Sequence, residues 1–302
     1  MSKTAFVFAG QGAQTIGMGQ DLYDAFDSVK ELYDMSAGVR DLCFNGPKEQ
    51  LDITVNTQPA VFLTDLACAS ALSEKGVRAD GVAGFSLGEI AAACYSGLMT
   101  RSQAFDFVCY RAKSMHNCAQ INKGSMFAVV KLTDEKVEEI CDSLSQAYPV
   151  NYNSPGQVVV ACDGSTEEKL QEAVRENGGK AIKLAVSGAF HSPFMDDASR
   201  SVAGYLVKEN LGTTRIPIYS NTTAKEYDAA KELLTKQINH PVLWQKTIEN
   251  MIEDGFDIFI EVGPGKTLSG LIRKINPDVT VHNVSDLQSL EKTVEELRRN
   301  NA

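Results

Sequence analysis

The sequence predicts an α/β protein in two parts, a larger one built on a parallel sheet and a smaller one inserted into it. Three observations carry this. Residues 81–95 read as a short apolar strand, a turn of Gly84-Phe85-Ser86-Leu87-Gly88 and an Ala-rich helix. Both ends of the chain alternate short apolar runs with helical segments, the pattern of parallel strands covered by helices. Between 124 and 187 the order becomes strand, helix, strand, strand, helix, strand, the split βαβ arrangement of a ferredoxin-like subdomain. The expected division is 1–123 with 188–302 for the large subdomain and 124–187 for the small one.

Taken in order, 4–8 is a buried strand that runs into Ala9-Gly10-Gln11-Gly12-Ala13-Gln14. That loop does not fit a dinucleotide fingerprint. The glycines after Gly10 and Gly12 are Gly17 and Gly19, and no acidic residue closes a second strand about 20 residues on. Its glycines suit close approach of backbone to something bound. Polar helical segments cover 21–37 and 39–44, and 56–72 is a long helix with Pro59 near its start. Gly97 stops the Ala-rich helix, and Thr100 caps the next one, which carries Phe105, Phe107, Val108 and Arg111. In the insert, 125–131 is a strand and Thr133 caps a helix ending near 147. A hairpin of 150–153 and 157–162 follows, then a helix capped by Ser165-Thr166 and a strand at 180–185. Beyond it come a helix at 196–209, a strand at 216–221, helices at 229–238 and 242–253, and a strand at 256–262. A short helix at 267–275, a strand at 279–284 and an amphipathic helix at 286–299 complete the chain.

With 302 residues, 43% hydrophobic and 23% charged, the composition is that of a soluble globular protein. A formal net charge of −10 and the lack of any basic run argue against nucleic acid as a partner. No stretch approaches the ~18 apolar residues of a membrane span, and 5–9 is too short for a signal-peptide core. Seven scattered cysteines without a C-x-x-C pair indicate reduced thiols in the cytoplasm and no zinc site.

The chemistry centres on Ser86. A G-x-S-x-G turn between strand and helix is a nucleophile elbow: its glycines allow a turn tight enough to present the serine oxygen beside unpaired helix N–H groups. A serine hydroxyl needs a base, and four histidines are available. His191 lies in a loop just past the insert, where function concentrates. His240 precedes a proline at a helix end, and His116 is expected on a surface. His282 competes because α/β-hydrolases place their histidine late, although its alternating strand context suits a structural role. Arg111 follows Phe107 and Val108 on one helix face, so it either snorkels to the surface or aims its guanidinium inward at a carboxylate.

Several motifs together resemble the malonyl-CoA:acyl carrier protein transacylases, the acyltransferases that load malonyl units in fatty acid and polyketide synthesis. They are 8–14 at the first loop, 84–89 at the elbow, Arg111, Gly188-Ala189-Phe190-His191-Ser192-Pro193, Gln237 ahead of Pro241-Val242-Leu243-Trp244, and Glu261-Val262-Gly263-Pro264-Gly265. The resemblance spans nearly the whole chain. It implies a large α/β-hydrolase-like subdomain with a parallel sheet, carrying a catalytic pair of Ser86 and His191. It further implies that the main-chain carbonyl of Gln237 holds the histidine and that the backbone N–H groups of Gln11 and Leu87 form an oxyanion hole. Arg111 would bind the malonyl carboxylate, and the Gln11 and Gln237 amides could line the same cavity. Phe190 would either narrow that cavity against a methyl branch or simply pack in the core. The substrates implied are malonyl-CoA and the phosphopantetheine thiol of acyl carrier protein, with no bound cofactor or metal. Two departures stand out: the family usually has proline at Ala9 and histidine at Phe85.

An acidic carrier protein needs a basic surface, and Lys266, Arg273 and Lys274 form either that patch or an ordinary solvated helix end. The rival reading is a serine hydrolase or thioesterase of α/β-hydrolase or patatin type, pairing Ser86 with His282 or Asp163, although Asp163-Gly164 reads more simply as a turn. A second rival is a non-enzymatic docking subunit that keeps the fold.

Overall fold

The computed structural model describes residues 2–300. In chain order its strands are β1 (Lys3–Phe8), β2 (Gly81–Gly84), β3 (Ser125–Val130), β4 (Ala147–Ser154), β5 (Gln157–Cys162), β6 (Lys180–Lys183), β7 (Ile218–Tyr219), β8 (Phe256–Val262) and β9 (Thr280–Val284). They form a parallel sheet of order β7-β2-β1-β8-β9 and an antiparallel sheet of order β4-β5-β3-β6. The chain divides into two compact units. One comprises 1–112, 211–219 and 251–302 and holds the parallel sheet; the other comprises 113–210 and 220–250 and holds the antiparallel sheet.

In the first unit, β1 is apolar throughout its buried length because it sits mid-sheet and faces no solvent. Phe8 pairs with Gly84 on one side and with Val262 on the other. Three neighbouring strands therefore end level, and the loops that follow lie side by side at their carboxyl edge, where open parallel sheets present their sites. The helix Thr54–Glu74 is buried on nearly every face, which explains its lack of a polar stripe. It begins two residues earlier than its sequence suggests, so Pro59 falls in the interior and removes one backbone hydrogen bond there.

The antiparallel sheet has the ferredoxin-like order, with the first and third of its strands in the centre. Phe127, Val129, Val158 and Val160 face Val137 and Ile140 of one helix and Leu170 and Val174 of the other. Thr133 accepts the Lys136 N–H as expected of a cap. The first helix stops at Ser143 rather than near 147, because Leu144 is extended and Ala147 already pairs with Cys162. Thr166 precedes the second helix, but its hydroxyl donates to the Ser145 carbonyl instead of capping it. The strand expected over 216–221 contracts to two residues. The helix expected from 242 starts at Trp244, because Val242 is held beside β4 by bonds to the Val150 carbonyl and from the Tyr152 N–H, each 2.9 Å.

Candidate active site

The elbow is built from backbone against backbone. A side chain at Gly84 would stand 2.0 Å from the carbonyl carbon of Gly88, and one at Gly88 would stand 2.3 Å from the carbonyl oxygen of Phe8. Only two hydrogens fit there, so strand, turn and helix close tightly enough to throw Ser86 into the left-handed region, at φ 55°. The Phe85 N–H donates to the Phe8 carbonyl at 3.0 Å, and the Glu89 N–H to the Ser86 carbonyl at 3.1 Å. The helix Gly88–Tyr95 then runs away from the serine with its positive end toward it.

Gly10 corrects one expectation. Its backbone does approach a neighbour closely, but that neighbour is protein: a Cβ there would meet the Phe85 carbonyl oxygen at 2.7 Å and its ring at 3.0 Å. This contact carries the half-buried Gln11 to the side of the turn, and the Gln11 amide reaches the Thr54 hydroxyl at 3.4 Å. Leu87 is buried directly after Ser86.

Arg111 is wholly buried, so it does not snorkel to the surface. Its Nη1 donates to Gln58 Oε1 at 2.6 Å and its Nη2 to Ser86 Oγ at 3.2 Å. Burial pulls its pKa down to about 10, and Glu89 opposes the shift, so the guanidinium stays cationic at neutral pH. Gln58 was not anticipated. Its only signal is an amide directly ahead of Pro59 in a largely buried helix, a pattern that does not distinguish function from packing.

His191 also adopts a left-handed backbone, at φ 60°, and is 4% exposed. Its Nδ1 lies 2.8 Å from the main-chain oxygen of Gln237. A carbonyl only accepts, so Nδ1 carries a proton, and in the neutral ring Nε2 is then the nitrogen with the lone pair. Gln237 follows the helix Ala230–Lys236 as its C-cap, so the carbonyl used is one that a helix end leaves without an intrahelical partner. Ser192 Oγ donates to the Ala189 carbonyl at 2.6 Å, fixing the loop from within. Phe190 is 6% exposed.

The remaining sequence candidates are occupied elsewhere. His282 Nδ1 contacts Glu296 at 3.1 Å, and burial lowers its pKa. His240 is exposed and bonds the Lys236 carbonyl. His116, expected at a surface, is half-buried with Nδ1 enclosed. Asp163 accepts from Ser165 in a turn, and the helix expected from 196 opens with Asp196 and Asp197. Lys266, Arg273 and Lys274 are exposed, and Arg273 donates to the Val281 carbonyl at 2.8 Å.

A serine in a strained elbow, its oxygen touched by a buried cation, is the local arrangement of enzymes that form serine esters. The acyl transferase domain family matches residues 5–300. The malonyl CoA-acyl carrier protein transacylase of Bacillus subtilis is 34% identical over 314 residues, covering 100% of this chain and 99% of that protein. The crystal structure of the malonyl CoA-acyl carrier protein transacylase from Clostridium perfringens superposes with a TM-score of 0.96 at 40% identity, covering 99% of this chain and 98% of that one. A malonyl-transacylase solved in complex with a type II polyketide acyl-carrier protein gives a TM-score of 0.93 at 33% identity, covering 98% and 100%. The chain belongs to the malonyl CoA-acyl carrier protein transacylases of the acyl transferase family.

Proposed function

We propose that Ser86 and His191 are the working pair of an [acyl-carrier-protein] S-malonyltransferase. The reaction is transfer of malonyl from malonyl-CoA to acyl carrier protein, the activity carried in the names of relatives that match this chain from end to end. Ser86 Oγ attacks the thioester carbonyl and gives its proton to His191 Nε2. The C–S bond breaks, the proton passes to the departing coenzyme A sulfur, and a malonyl-serine ester remains. The phosphopantetheine thiol of the carrier then loses its proton to the same nitrogen and attacks the ester, and Ser86 Oγ recovers a proton as it leaves. The backbone N–H groups of Leu87 and Gln11 receive the oxyanion in both halves, each contributing about 3 kcal/mol of transition-state stabilisation.

The observation that supports this reading best is the 3.2 Å contact between Arg111 and the serine oxygen. In a malonyl ester the carboxylate carbon is three bonds from that oxygen. A guanidinium already within reach of Oγ can therefore fork onto the carboxylate while Gln58 holds its other nitrogen. An acetyl group offers no such partner and leaves the buried cation worse satisfied. Phe190, buried next to the base, would exclude a methyl branch, and Gln237 would add its amide to the substrate cavity. Lys266, Arg273 and Lys274 would meet the acidic carrier. Seven free thiols fit a cytoplasmic setting, and no helix among the described residues is long and apolar enough to cross a membrane.

Intact-protein mass spectrometry after incubation with malonyl-CoA or acetyl-CoA tests the reading. The wild type should gain a malonyl-sized adduct and Ser86→Ala none. Arg111→Ala should bring the two thioesters to similar rates; an unchanged preference would refute the carboxylate clamp.

A further inference from the structure

Away from the elbow, the first compact unit holds a cavity of about 410 Å³ lined by Arg78, Arg101 and Arg215. That volume lies within the roughly 300–1,000 Å³ usual for small-molecule sites. The three arginines come from three separate segments. Arg78 follows the end of the helix Thr54–Glu74, and Arg101 is the first residue of the helix Arg101–Ile121. Arg215 sits on a strap pinned to the turn after the elbow helix, through its own N–H to the Ser96 carbonyl at 2.7 Å and the Gly212 N–H to the Leu98 carbonyl at 2.8 Å.

Charge accounting separates these three from four of the other arginines. Arg40, Arg175, Arg200 and Arg299 each hold an acidic partner. Among the described residues, Arg78, Arg101 and Arg215 hold none, and no carboxylate lines the cavity. Cys94 in its wall is kept as a neutral thiol, pushed up to about 12 by burial. The cavity also receives the positive end of a 21-residue helix. All three are exposed to solvent at the mouth of this space, and an anion seated between them would offset their mutual repulsion in a protein of net charge −10. Leu66 and Met99 add an apolar part to the wall.

We propose that this cavity binds a phosphorylated small molecule carrying at least two phosphate groups, at a site separate from Ser86. Guanidinium forks match phosphate oxygens in pairs, and the space exceeds that of a single inorganic ion. The apolar wall suits an organic body attached to the phosphates.

Isothermal titration calorimetry on the whole chain, with pyrophosphate, ADP and inorganic phosphate as probes, decides the matter without reference to malonyl transfer. Pyrophosphate and ADP should bind saturably and more tightly than inorganic phosphate. Each of Arg78→Gln, Arg101→Gln and Arg215→Gln should weaken both by about tenfold, the loss of one charge-assisted contact. The triple variant should abolish binding yet retain the wild-type malonyl transfer rate, which reports that it is folded. Saturating malonyl-CoA should leave pyrophosphate binding in place. ADP binding more tightly than pyrophosphate identifies an organic phosphate as the ligand; equal affinity identifies the polyphosphate group alone. Absence of saturable heat from both probes, displacement by malonyl-CoA, or binding that survives the triple substitution would overturn the proposal.

Discussion

Ser86 and His191 adopt nearly the same left-handed backbone, and the two loops hold it by different means. At the elbow the constraint is steric: Gly84 and Gly88 leave no room for a Cβ, so the serine has nowhere else to go. At the histidine the constraint is polar, a 2.8 Å bond to a helix-end carbonyl 46 residues away together with the Ser192 hydroxyl on the Ala189 carbonyl. Strain of this kind persists only when the surroundings over-determine it. A nucleophile must be fixed in position. A base must also be fixed in protonation state, which packing alone cannot do and a hydrogen bond can.

This contrast can be broken experimentally. The largest effect is expected from His191→Ala, which should lower kcat by about 10³-fold or more while leaving the denaturation midpoint close to wild type. Gly88→Ala should lower stability and activity together. Overpacking against the Phe8 carbonyl should cost about 3 kcal/mol or more in urea unfolding, with activity lost because the elbow opens. A smaller effect sharpens the polar side of the comparison. Gln237→Ala keeps the main-chain carbonyl, so the slope of log kcat against pH should be unchanged and kcat should fall by less than about tenfold. A shifted pH profile would show that the side chain, not the backbone, holds the imidazole.

The smallest effect concerns Asp65, whose carboxyl is fully buried behind the same carboxyl edge. Its Oδ1 lies 1.9 Å from where a Cβ on Gly263 would stand. Burial raises its pKa well above the usual carboxylate value, and neighbouring Glu261 adds to the shift. Below about pH 4 both folded and unfolded chains hold the proton, so Asp65 favours neither. Above that the unfolded chain releases it while the folded chain keeps it, and stability falls as pH rises toward the raised folded value. Asp65→Asn removes this dependence. Unfolding free energies measured between about pH 5 and about pH 8 should therefore show the variant gaining on wild type as pH increases.

The same contrast explains what the sequence disclosed. The elbow is a local pattern, five residues between a strand and a helix, and its backbone could be read directly. Both sheets were legible for a related reason, since β1, β8 and the strands of the insert carry continuous or alternating apolar runs. The partnership of Gln58 with Arg111 was not, because an amide in a buried helix looks the same whether it packs or positions a cation. Nor did composition reveal that Gly10 faces Phe85, a contact between two loops that are neighbours only because β1 and β2 end level. Helix ends shifted where strand pairing claimed residues that local preference assigned to helix, as at Ala147 in the insert and at Val242 beyond it. His191 could be singled out by its loop, but its carbonyl partner follows from tertiary structure and became an expectation only through family resemblance.

The choice of a peptide oxygen as the imidazole's support has an electrostatic consequence. Many serine enzymes employ an aspartate in that post, and such an ion would place a full negative charge behind the general base. If His191 serves as the proposed base, the incoming group is itself an anion, and a dipole would steady the ring without repelling that cargo.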